Sequence, residues 1–409
     1  MKFQLQIRQS VLALSLMSAA ATADVLNIPA DYPSFQEAIN AASDGDTILV
    51  QPGTYLESSI NPIGKVITIE GVLAPDGSWA VTIDAEQADS AIICQNGEGN
   101  QTIFRNLSVT NGSSNTGGGL LISNASSPRF DNCQIIGNSA VRGGGVYCIN
   151  DSSPRFESCE FDSNQSDIDG GGFYNLLGCD PVLIDCLFIN NQVSSGQFAF
   201  GGGMYNRDDS NPMLTNCIFR NNQATGAFSS GGAIANTESS PVLNNCVLEN
   251  NVTGGAGGGM SNTGGGCQPS LTDCLITGNS CTNGGGLSFY TDATAQIINC
   301  EISNNSASNG GGILNFSGID PAISGTVLCG NSPDQINGTW LDNGGNDIAD
   351  SCASCIGDAT GDGVVDVNDV LYLVSAWATT DANADFDGDG LVDTDDILLL
   401  LKYFGQSCI

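Results

Sequence analysis

The sequence predicts an all-β fold, a single-stranded parallel β-helix with an N-terminal helical cap, followed by a small α-helical calcium-binding domain. Three observations carry this prediction. An internal repeat of 26 to 31 residues runs through most of the chain, and Gly, Pro and Asn separate short apolar segments within each repeat. In addition, two acidic loops near the C-terminus have the spacing of calcium ligands.

Rows of similar residues that recur once per period define the repeat. Each repeat has a Gly-Gly-Gly element or a near variant followed by an apolar residue, then a Pro, a Cys and an Asn at five-residue intervals. The glycine elements begin at Gly117, Gly143, Gly170, Gly201, Gly231, Gly257, Gly284 and Gly310. The Cys row is Cys133, Cys159, Cys186, Cys217, Cys246, Cys274 and Cys300, and the Asn row is Asn138, Asn164, Asn191, Asn222, Asn251, Asn279, Asn305 and Asn331. Because one such unit buries too little apolar surface to offset its ordering entropy, we expect stacked coils whose amides bond along the Asn row.

The repeat resembles right-handed β-helix proteins of the pectate-lyase-like type. The Phe-x-x-Asn element at 219–222 and the Gly-Gly-Ala-Ile element at 231–234 are similar to the repeats of polymorphic outer-membrane proteins. Residues 35–42 and 44–50 are similar to the capping helix and first strand of such folds. The resemblance covers residues 24–340 and implies a right-handed β-helix, but it implies no particular activity.

The two acidic loops carry oxygen ligands in the order that one calcium ion requires. Side chains at positions 1, 3, 5, 9 and 12 and a carbonyl at position 7 bind the ion, while Gly at position 6 allows the sharp turn. The first loop offers Asp358, Thr360, Asp362, Val364, Asp366 and Asp369, and the second offers Asp385, Asp387, Asp389, Leu391, Asp393 and Asp396. The sequence therefore predicts two bound Ca²⁺ ions.

Each loop leads into an apolar segment, at 370–374 and at 397–401, that predicts an outgoing helix without an entering one. This pair of half-motifs resembles a type I dockerin over residues 355–409. The resemblance implies calcium binding by the loop residues and attachment to a cohesin-like or cell-surface protein. Positions 10 and 11, where dockerins tend to carry Ser or Thr contacts to cohesin, are Val367-Asn368 and Thr394-Asp395 here. The alternative is a calcium-stapled C-terminal cap without a partner.

The N-terminal segment and the composition predict an exported protein. Residues 1–23 combine Lys2 and Arg8 with an apolar run and a small-residue cleavage site, as a secretory signal does, and no later run is long enough to span a bilayer. The net charge of −34 argues against nucleic acid or an anionic membrane as partner. We expect a secreted or cell-surface bacterial protein with a β-helix at 24–340, a linker at 341–354 and a calcium-binding domain at 355–409.

An oxidising compartment permits disulfides, but the Cys row favours another role. Its side chains would point the same way and each would have two equal neighbours, so we expect a buried ladder of thiols that act as small apolar groups. Cys355 and Cys408 bracket the calcium-binding loops, and a bridge between them would tie the ends of that domain together.

Two groups of residues on the coils are candidates for function. If the apolar residue after each Gly-Gly-Gly points inward, the next one faces out, and it is Tyr147, Tyr174 and Tyr205 on three successive coils. This pattern predicts an aromatic ladder able to stack on sugar rings, unless turns cover it. The second group, candidate acids, bases and a clamp for polysaccharide cleavage, is Asp167, Asp169, Arg207, Asp208 and Asp209. Its alternative is a solvated turn with a surface ion pair.

Groups suited to catalysis are few, since the chain has no His and its only lysines beyond the signal are Lys65 and Lys402. We therefore expect a non-catalytic β-helix that presents a surface to a carbohydrate or cell-surface partner. The alternative is an extracellular polysaccharide lyase or glycoside hydrolase carried by its dockerin. A third hypothesis makes the calcium-binding domain the adhesive part and the β-helix a rigid spacer.

Overall fold

A computed structural model describes residues 23–352, 357–361, 364–381 and 383–405 and consists of a parallel β-helix followed by a small helical unit. The described residues form 43 strands and three α-helices, so the predicted fold class is confirmed. Each full coil passes through four parallel sheets, which we number 1 to 4 in the order in which the chain meets them between one Pro and the next.

The strands are short, mostly three or four residues. Each sheet is formed by strands from the same position of successive repeats. Sheet 1 comprises Val25–Ile28, Thr47–Val50, Thr68–Gly71, Ile103–Arg105, Arg129–Asp131, Arg155–Glu157, Val182–Ile184, Met213–Thr215, Val242–Asn244, Ser270–Thr272, Gln296–Ile298, Ala322–Ser324 and Leu341–Asp342. Sheet 2 comprises Gly53–Leu56, Val81–Asp84, Ser108–Thr110, Gln134–Ile136, Glu160–Asp162, Leu187–Ile189, Ile218–Arg220, Val247–Glu249, Leu275–Thr277, Glu301–Ser303, Val327–Cys329 and Asp347–Ala349. Sheet 3 comprises Ser113–Thr116, Ser139–Arg142, Gln165–Asp169, Gln192–Ser194, Phe198–Phe200, Gln223–Thr225, Phe228–Ser230 and Val252–Thr253. Sheet 4 comprises Ile92–Cys94, Leu120–Ile122, Val146–Ile149, Phe173–Leu176, Met204–Arg207, Ile234–Thr237, Met260–Thr263, Leu287–Tyr290, Ile313–Phe316 and Ile336–Asn337.

The interior of the β-helix is one continuous apolar core. Parallel pairing places each inward side chain above the same position of the next coil, so similar residues stack on one another. Phe188 and Phe219, for example, are register partners whose ring centroids lie 4.4 Å apart. Burial of such rings is the main source of stability that single coils lack.

The Asn row forms the predicted ladder between sheets 2 and 3. The side-chain amide of Asn191 donates to the side-chain oxygen of Asn222 at 2.9 Å and to the carbonyl of Phe161 at 2.8 Å. The left-handed backbone conformation lies not in this row but one residue before it, at residues such as Asn190 and Asn221.

The Cys row is buried along its whole length, and all seven of its members are free thiols. Each Sγ atom lies within hydrogen-bonding distance of a backbone carbonyl oxygen. Sγ of Cys217, for example, lies 3.4 Å from the carbonyl oxygen of Thr215. The expectation of a ladder of small buried side chains rather than disulfides is therefore confirmed.

Both ends of the β-helix differ from what the sequence predicted. The capping helix, Phe35–Ala41, forms as predicted, but Val25–Ile28 precedes it and pairs with Thr47–Val50, so 44–50 does not hold the first strand. At the other end, Leu341–Asp342 and Asp347–Ala349 add to sheets 1 and 2 within the segment assigned to the linker. A disulfide between Cys329 and Cys352 attaches this last coil to its neighbour.

The helical unit contains two helices, Val367–Ser375 and Thr394–Tyr403, which include the two apolar segments predicted to be helical. Leu373, Leu400, Val365 and Val392 form its small core. No helix among the described residues has the length and apolar character that a membrane span requires.

We predict that Asn222→Ala destabilises the β-helix by about 2 to 4 kcal/mol. The substitution removes the side-chain donor to the carbonyl of Phe188 and the acceptor shared by the backbone N–H and one side-chain N–H of Asn191, and each buried group left unpaired costs about 1 to 3 kcal/mol. Urea unfolding measures the change. Asn343→Ala, at an exposed site, is the control, and equal midpoints for the two variants would contradict the ladder's role.

Alkylation should separate the thiols of the Cys row from Cys281. Cys281 is only partly buried, whereas the seven thiols of the Cys row are inaccessible to solvent, so we expect the native protein to react at Cys281 before any member of the row. Mass spectrometry of peptides labelled before and after denaturation measures this order. Fast labelling of Cys217 in the native protein would contradict the packing described here.

Candidate functional site

The outer face of sheet 4 carries a group of aromatic and charged side chains on successive coils. The strands Val146–Ile149, Phe173–Leu176 and Met204–Arg207 lie in register, so Tyr147, Tyr174 and Tyr205 follow one another from coil to coil. Tyr147 and Tyr174 meet edge to face at 5.3 Å, and Tyr174 and Tyr205 stack at 5.1 Å. The predicted aromatic ladder is therefore present.

The expectation that these tyrosines form an open platform is wrong. Their exposed fractions are 8, 1 and 3 % for Tyr147, Tyr174 and Tyr205. The rings are covered by Leu121, Ile149, Leu176 and Phe200. Phe200 lies on an additional strand of sheet 3, and its ring centroid is 5.4 Å from that of Tyr205. A ligand can reach only the edges of Tyr147 and Tyr174, which line a pocket.

An ion pair lies beside the rings. Arg142 and Asp169 are register partners that each immediately precede a Gly-Gly-Gly element, and Nε of Arg142 donates to Oδ2 of Asp169 at 3.0 Å. The carboxylate is only 4 % exposed, whereas the guanidinium side chain is 44 % exposed. Because the bond uses Nε, the terminal N–H groups of Arg142 can still bond a ligand oxygen.

A second guanidinium completes the pocket. Arg207 ends its sheet 4 strand, is exposed, and makes a long 3.4 Å contact with Asp208. The resulting pocket has a volume of about 220 Å³, and its lining consists of Arg142, Tyr147, Tyr174, Leu176, Leu177, Arg207 and Asp208. We call it the arginine pocket. In a chain with 10 basic residues, two of them share this small site.

Electrostatics favour binding over proton transfer in the arginine pocket. Burial raises the pKa of Tyr174, and burial also raises the pKa of Tyr205 to about 12 although a hydrogen bond with Thr237 opposes the rise. These hydroxyls are therefore protonated at neutral pH and act as donors, not bases. Burial raises the pKa of Asp169 as well, while Arg142 counteracts it and holds the carboxyl in an ion pair. Guanidinium donors backed by aromatic edges suit an anionic oxygen group.

The structure brings together only part of the predicted acid–base group. Arg207 and Asp208 line the arginine pocket and Asp169 pairs with its Arg142, whereas Asp167 and Asp209 are exposed and do not line it. Asp167 and Asp169 lie in the strand Gln165–Asp169 rather than in a turn, since this strand pairs with Ser139–Arg142. Our sequence analysis missed Arg142, although its place just before a Gly-Gly-Gly element, one period before Asp169, signals the pairing.

The second acidic loop brings three of its predicted ligands together. Oxygens of Asp385, Asp387 and Asp396 lie within 4.8 Å of one another, whereas the carboxylates of Asp389 and Asp393 do not belong to this cluster. The carbonyl ligand expected at Leu391 stays a prediction. Asp396 is fully buried and accepts from the backbone amides of Phe386 and Asp393, which fixes the loop to the helix that follows. Three converging carboxylates without a cationic side chain fit a hard divalent cation.

The first loop has the same framework in its described part. The buried Asp369 accepts from the amides of Thr360 and Asp366, as Asp396 does in the second loop, and Asp366 caps the helix. Asp358 and Val364 occupy the corresponding loop positions. Asp362 lies outside the described residues, and so do Cys355 and Cys408, so the bridge expected between those cysteines stays a prediction.

Comparison with known proteins identifies the fold. Residues 80–274 match the family model described as "Right handed beta helix region". No curated protein sequence matches the chain significantly. Among solved structures, a mannuronic acid-specific family 6 polysaccharide lyase from human gut microbiota is 14% identical, with a TM-score of 0.42, over 80% of this chain and 82% of that one.

Two further solved structures give the same picture. The pectate lyase Pel9A is 16% identical, with a TM-score of 0.42, over 80% of each chain. The A-module of the mannuronan C-5 epimerase AlgE4 from Azotobacter vinelandii is 16% identical, with a TM-score of 0.32, over 78% of this chain and 92% of that one. The chain contains a right-handed parallel β-helix, as the family match and the parallel sheets show.

Removal of Arg142 should make stability depend on pH. Burial raises the pKa of Asp169, and without Arg142 the pKa rises further. When the pKa of a carboxyl is higher in the folded than in the unfolded state, the folded state binds its proton more tightly. This proton binding stabilises the fold fully at pH values below the unfolded-state pKa, and the stabilisation is lost as the pH rises through the folded-state pKa. Arg142→Gln should therefore lower the free energy of unfolding little at acidic pH and by about 2 kcal/mol at neutral pH. This loss is smaller than that expected for a fully buried ion pair, because Arg142 is partly exposed.

Urea unfolding at acidic and neutral pH measures this dependence. The control introduces Arg142→Gln into an Asp169→Asn background, where the loss should no longer change with pH. A loss that is the same at both pH values in the otherwise native chain would contradict the described pairing.

Proposed function

We propose that this chain is a secreted β-helix protein that binds an anionic glycan at the arginine pocket and is attached to a partner by a calcium-dependent, dockerin-like C-terminal unit. The observation that carries the proposal is the pairing of two guanidinium groups with tyrosine edges in one small pocket on sheet 4. In this role the β-helix is the recognition element and the C-terminal unit fixes its location.

Charge supports an anionic oxygen group as the ligand. The chain has a net charge of −34, so an anion is repelled by most of the surface and attracted only where cations gather. The other described arginines serve ion pairs elsewhere, for example Arg105 and Arg129, which share Asp131 on sheet 1. A carboxylate or sulfate on a sugar can bond both guanidinium groups while its ring rests on the tyrosine edges.

The carboxylate cluster supports calcium binding by the C-terminal unit. Asp385, Asp387 and Asp396 would hold one ion in the second loop, and the ion would neutralise carboxylates that otherwise repel one another. Because Asp396 also bonds the amides of Phe386 and Asp393, ion binding would order the loop and the start of Thr394–Tyr403 together. Attachment to a cohesin-like or cell-surface protein through this unit rests on the dockerin resemblance.

Turnover of a polysaccharide is the competing function. It needs a group that removes or donates a proton at neutral pH, and the nearest candidates are protonated tyrosines, an ion-paired Asp169 and the partly exposed Asp208. Release of unsaturated sugars or reducing ends, lost in Asp208→Asn, would replace the binding proposal with an enzymatic one.

Arg207→Gln should weaken binding of an acidic oligosaccharide about tenfold or more, because a hydrogen bond to a charged group contributes about 1.5 to 3 kcal/mol. Calorimetric titration of the chain from residue 24 to residue 409 with oligogalacturonate and with a sulfated oligosaccharide measures the loss. Arg155→Gln, on sheet 1 and paired with Glu157, is the matched control. Equal affinity in both variants would remove the arginine pocket as the site.

Asp387→Asn should lower calcium affinity about tenfold without lowering the stability of the calcium-free protein. Asp387 is a member of the carboxylate cluster, and loss of its charge weakens a cation site in proportion to ligand charge. Titration with calcium, followed by calorimetry and by the thermal midpoint, measures both quantities. Asp395→Asn, an exposed neighbour outside the ligand positions, is the control, and equal calcium affinity in the two variants would contradict the assigned site.

A further inference from the structure

A second pocket lies on the same face of the β-helix, toward its C-terminal end. Its volume is about 360 Å³, and its lining consists of Asn283, Tyr290, Asn309, Leu314, Phe316 and Asn337. Phe316 is 76 % exposed, and its ring lies 6.4 Å from that of Tyr290. Asn309 donates to Asn283 at 2.9 Å, which holds the two amides side by side. We call this site the amide pocket; no charged side chain lines it.

The two pockets are built from the same rows of the repeat. Asn283 and Asn309 occupy the row that precedes each glycine element, which is the row of Arg142 and Asp169. Tyr290 and Phe316 occupy the row at the end of each sheet 4 strand, which is the row of Leu176 and Arg207. The pockets are therefore two points along one strip that is parallel to the axis of the β-helix.

The strip between the pockets has a floor of small residues. In the row of the tyrosines the residues after Tyr205 are Ala235, Ser261 and Ser288. In the strand-end row, Thr237 and Thr263 separate Arg207 from Tyr290. The three steps from Arg207 to Tyr290 span about 14 Å, since adjacent parallel strands lie about 4.8 Å apart. Ala235, Ser261 and Ser288 are only 2, 3 and 0 % exposed, so the partly exposed Thr237 and Thr263 form the surface between the pockets. We call the strip from the arginine pocket to the amide pocket the groove.

The chemistry of the groove suits a polyhydroxylated chain better than a peptide. Amide and hydroxyl side chains donate and accept, as sugar hydroxyls do, and exposed aromatic faces stack on sugar rings. A peptide that adds to a sheet needs an open edge with unpaired backbone groups. The groove lies on the face of sheet 4, where the backbone of each inner strand is already paired with both neighbouring coils.

We propose that the groove from the arginine pocket to the amide pocket binds one linear glycan along the axis of the β-helix, with an acidic sugar at Arg207 and an uncharged ring at Tyr290 and Phe316. This inference rests on the proposed function and adds the orientation, the minimum length and a second subsite for the ligand. A chain too short to span both pockets gains nothing from the second one, whereas a longer chain gains contacts at both.

The test compares short and long oligogalacturonates, titrated calorimetrically into the whole chain from residue 24 to residue 409. We expect long oligomers to bind about tenfold tighter than a dimer. Tyr290→Ala combined with Phe316→Ala should remove this gain and leave dimer affinity unchanged, whereas Arg207→Gln should weaken both. Phe228→Ala, an equally exposed aromatic residue on sheet 3, controls for general loss of surface, and circular dichroism verifies folding.

Each outcome supports or overturns the inference. If dimer and long oligomer bind equally in the native chain, the second subsite does not exist, while the arginine pocket stands. If neither binds and sulfated oligosaccharides also fail, the proposed function itself fails. If a poly-glutamate peptide shows the same dependence on length and on Tyr290 and Phe316, the ligand is a peptide and the assignment to a glycan is overturned.

Discussion

Parallel pairing between successive coils is the constraint on which the rest of this structure depends. Each residue of a strand lies opposite the equivalent residue one repeat away, so every position must be compatible with a copy of itself about 4.8 Å distant. Apolar rings meet this condition by stacking, as Phe188 and Phe219 do, and Asn meets it by donating and accepting along the ladder. A buried carboxylate is stabilised by an opposite charge instead, and buried Asp169 lies opposite Arg142.

The same constraint makes the interior of the β-helix predictable and much of its exterior not. Rows of Gly, Cys and Asn reveal the coils because they repeat, and inward positions follow from them. Tyr147, Tyr174 and Tyr205 repeat as well, and their ladder was predictable, but their burial was not. It depends on Phe200, which reaches the rings because the chain between Gln192–Ser194 and Phe198–Phe200 makes an extra excursion on that coil. An insertion of this kind breaks the period and leaves no repeating signal.

The chain concentrates its functional character where the period is imperfect. On the coils after Arg207, the rows of the tyrosines and of Arg207 continue with small residues such as Ala235 and Thr237, and the amide pocket arises where Tyr290 and Phe316 follow Thr237 and Thr263. The C-terminal unit follows a different rule, since Asp369 and Asp396 are buried to join loop and helix and their spacing is visible in the sequence. Loop spacing therefore predicted the carboxylate cluster of the second loop, whereas the β-helix pockets required the three-dimensional register.

The most direct test of this account is a crystal structure of the protein with a long oligogalacturonate. We expect density for a sugar chain along the outer face of sheet 4, with a carboxylate at Arg207 and a ring over Phe316. A chain bound across sheet 1 or sheet 2, or one that crosses the axis of the β-helix at the arginine pocket without approaching Tyr290, would contradict it.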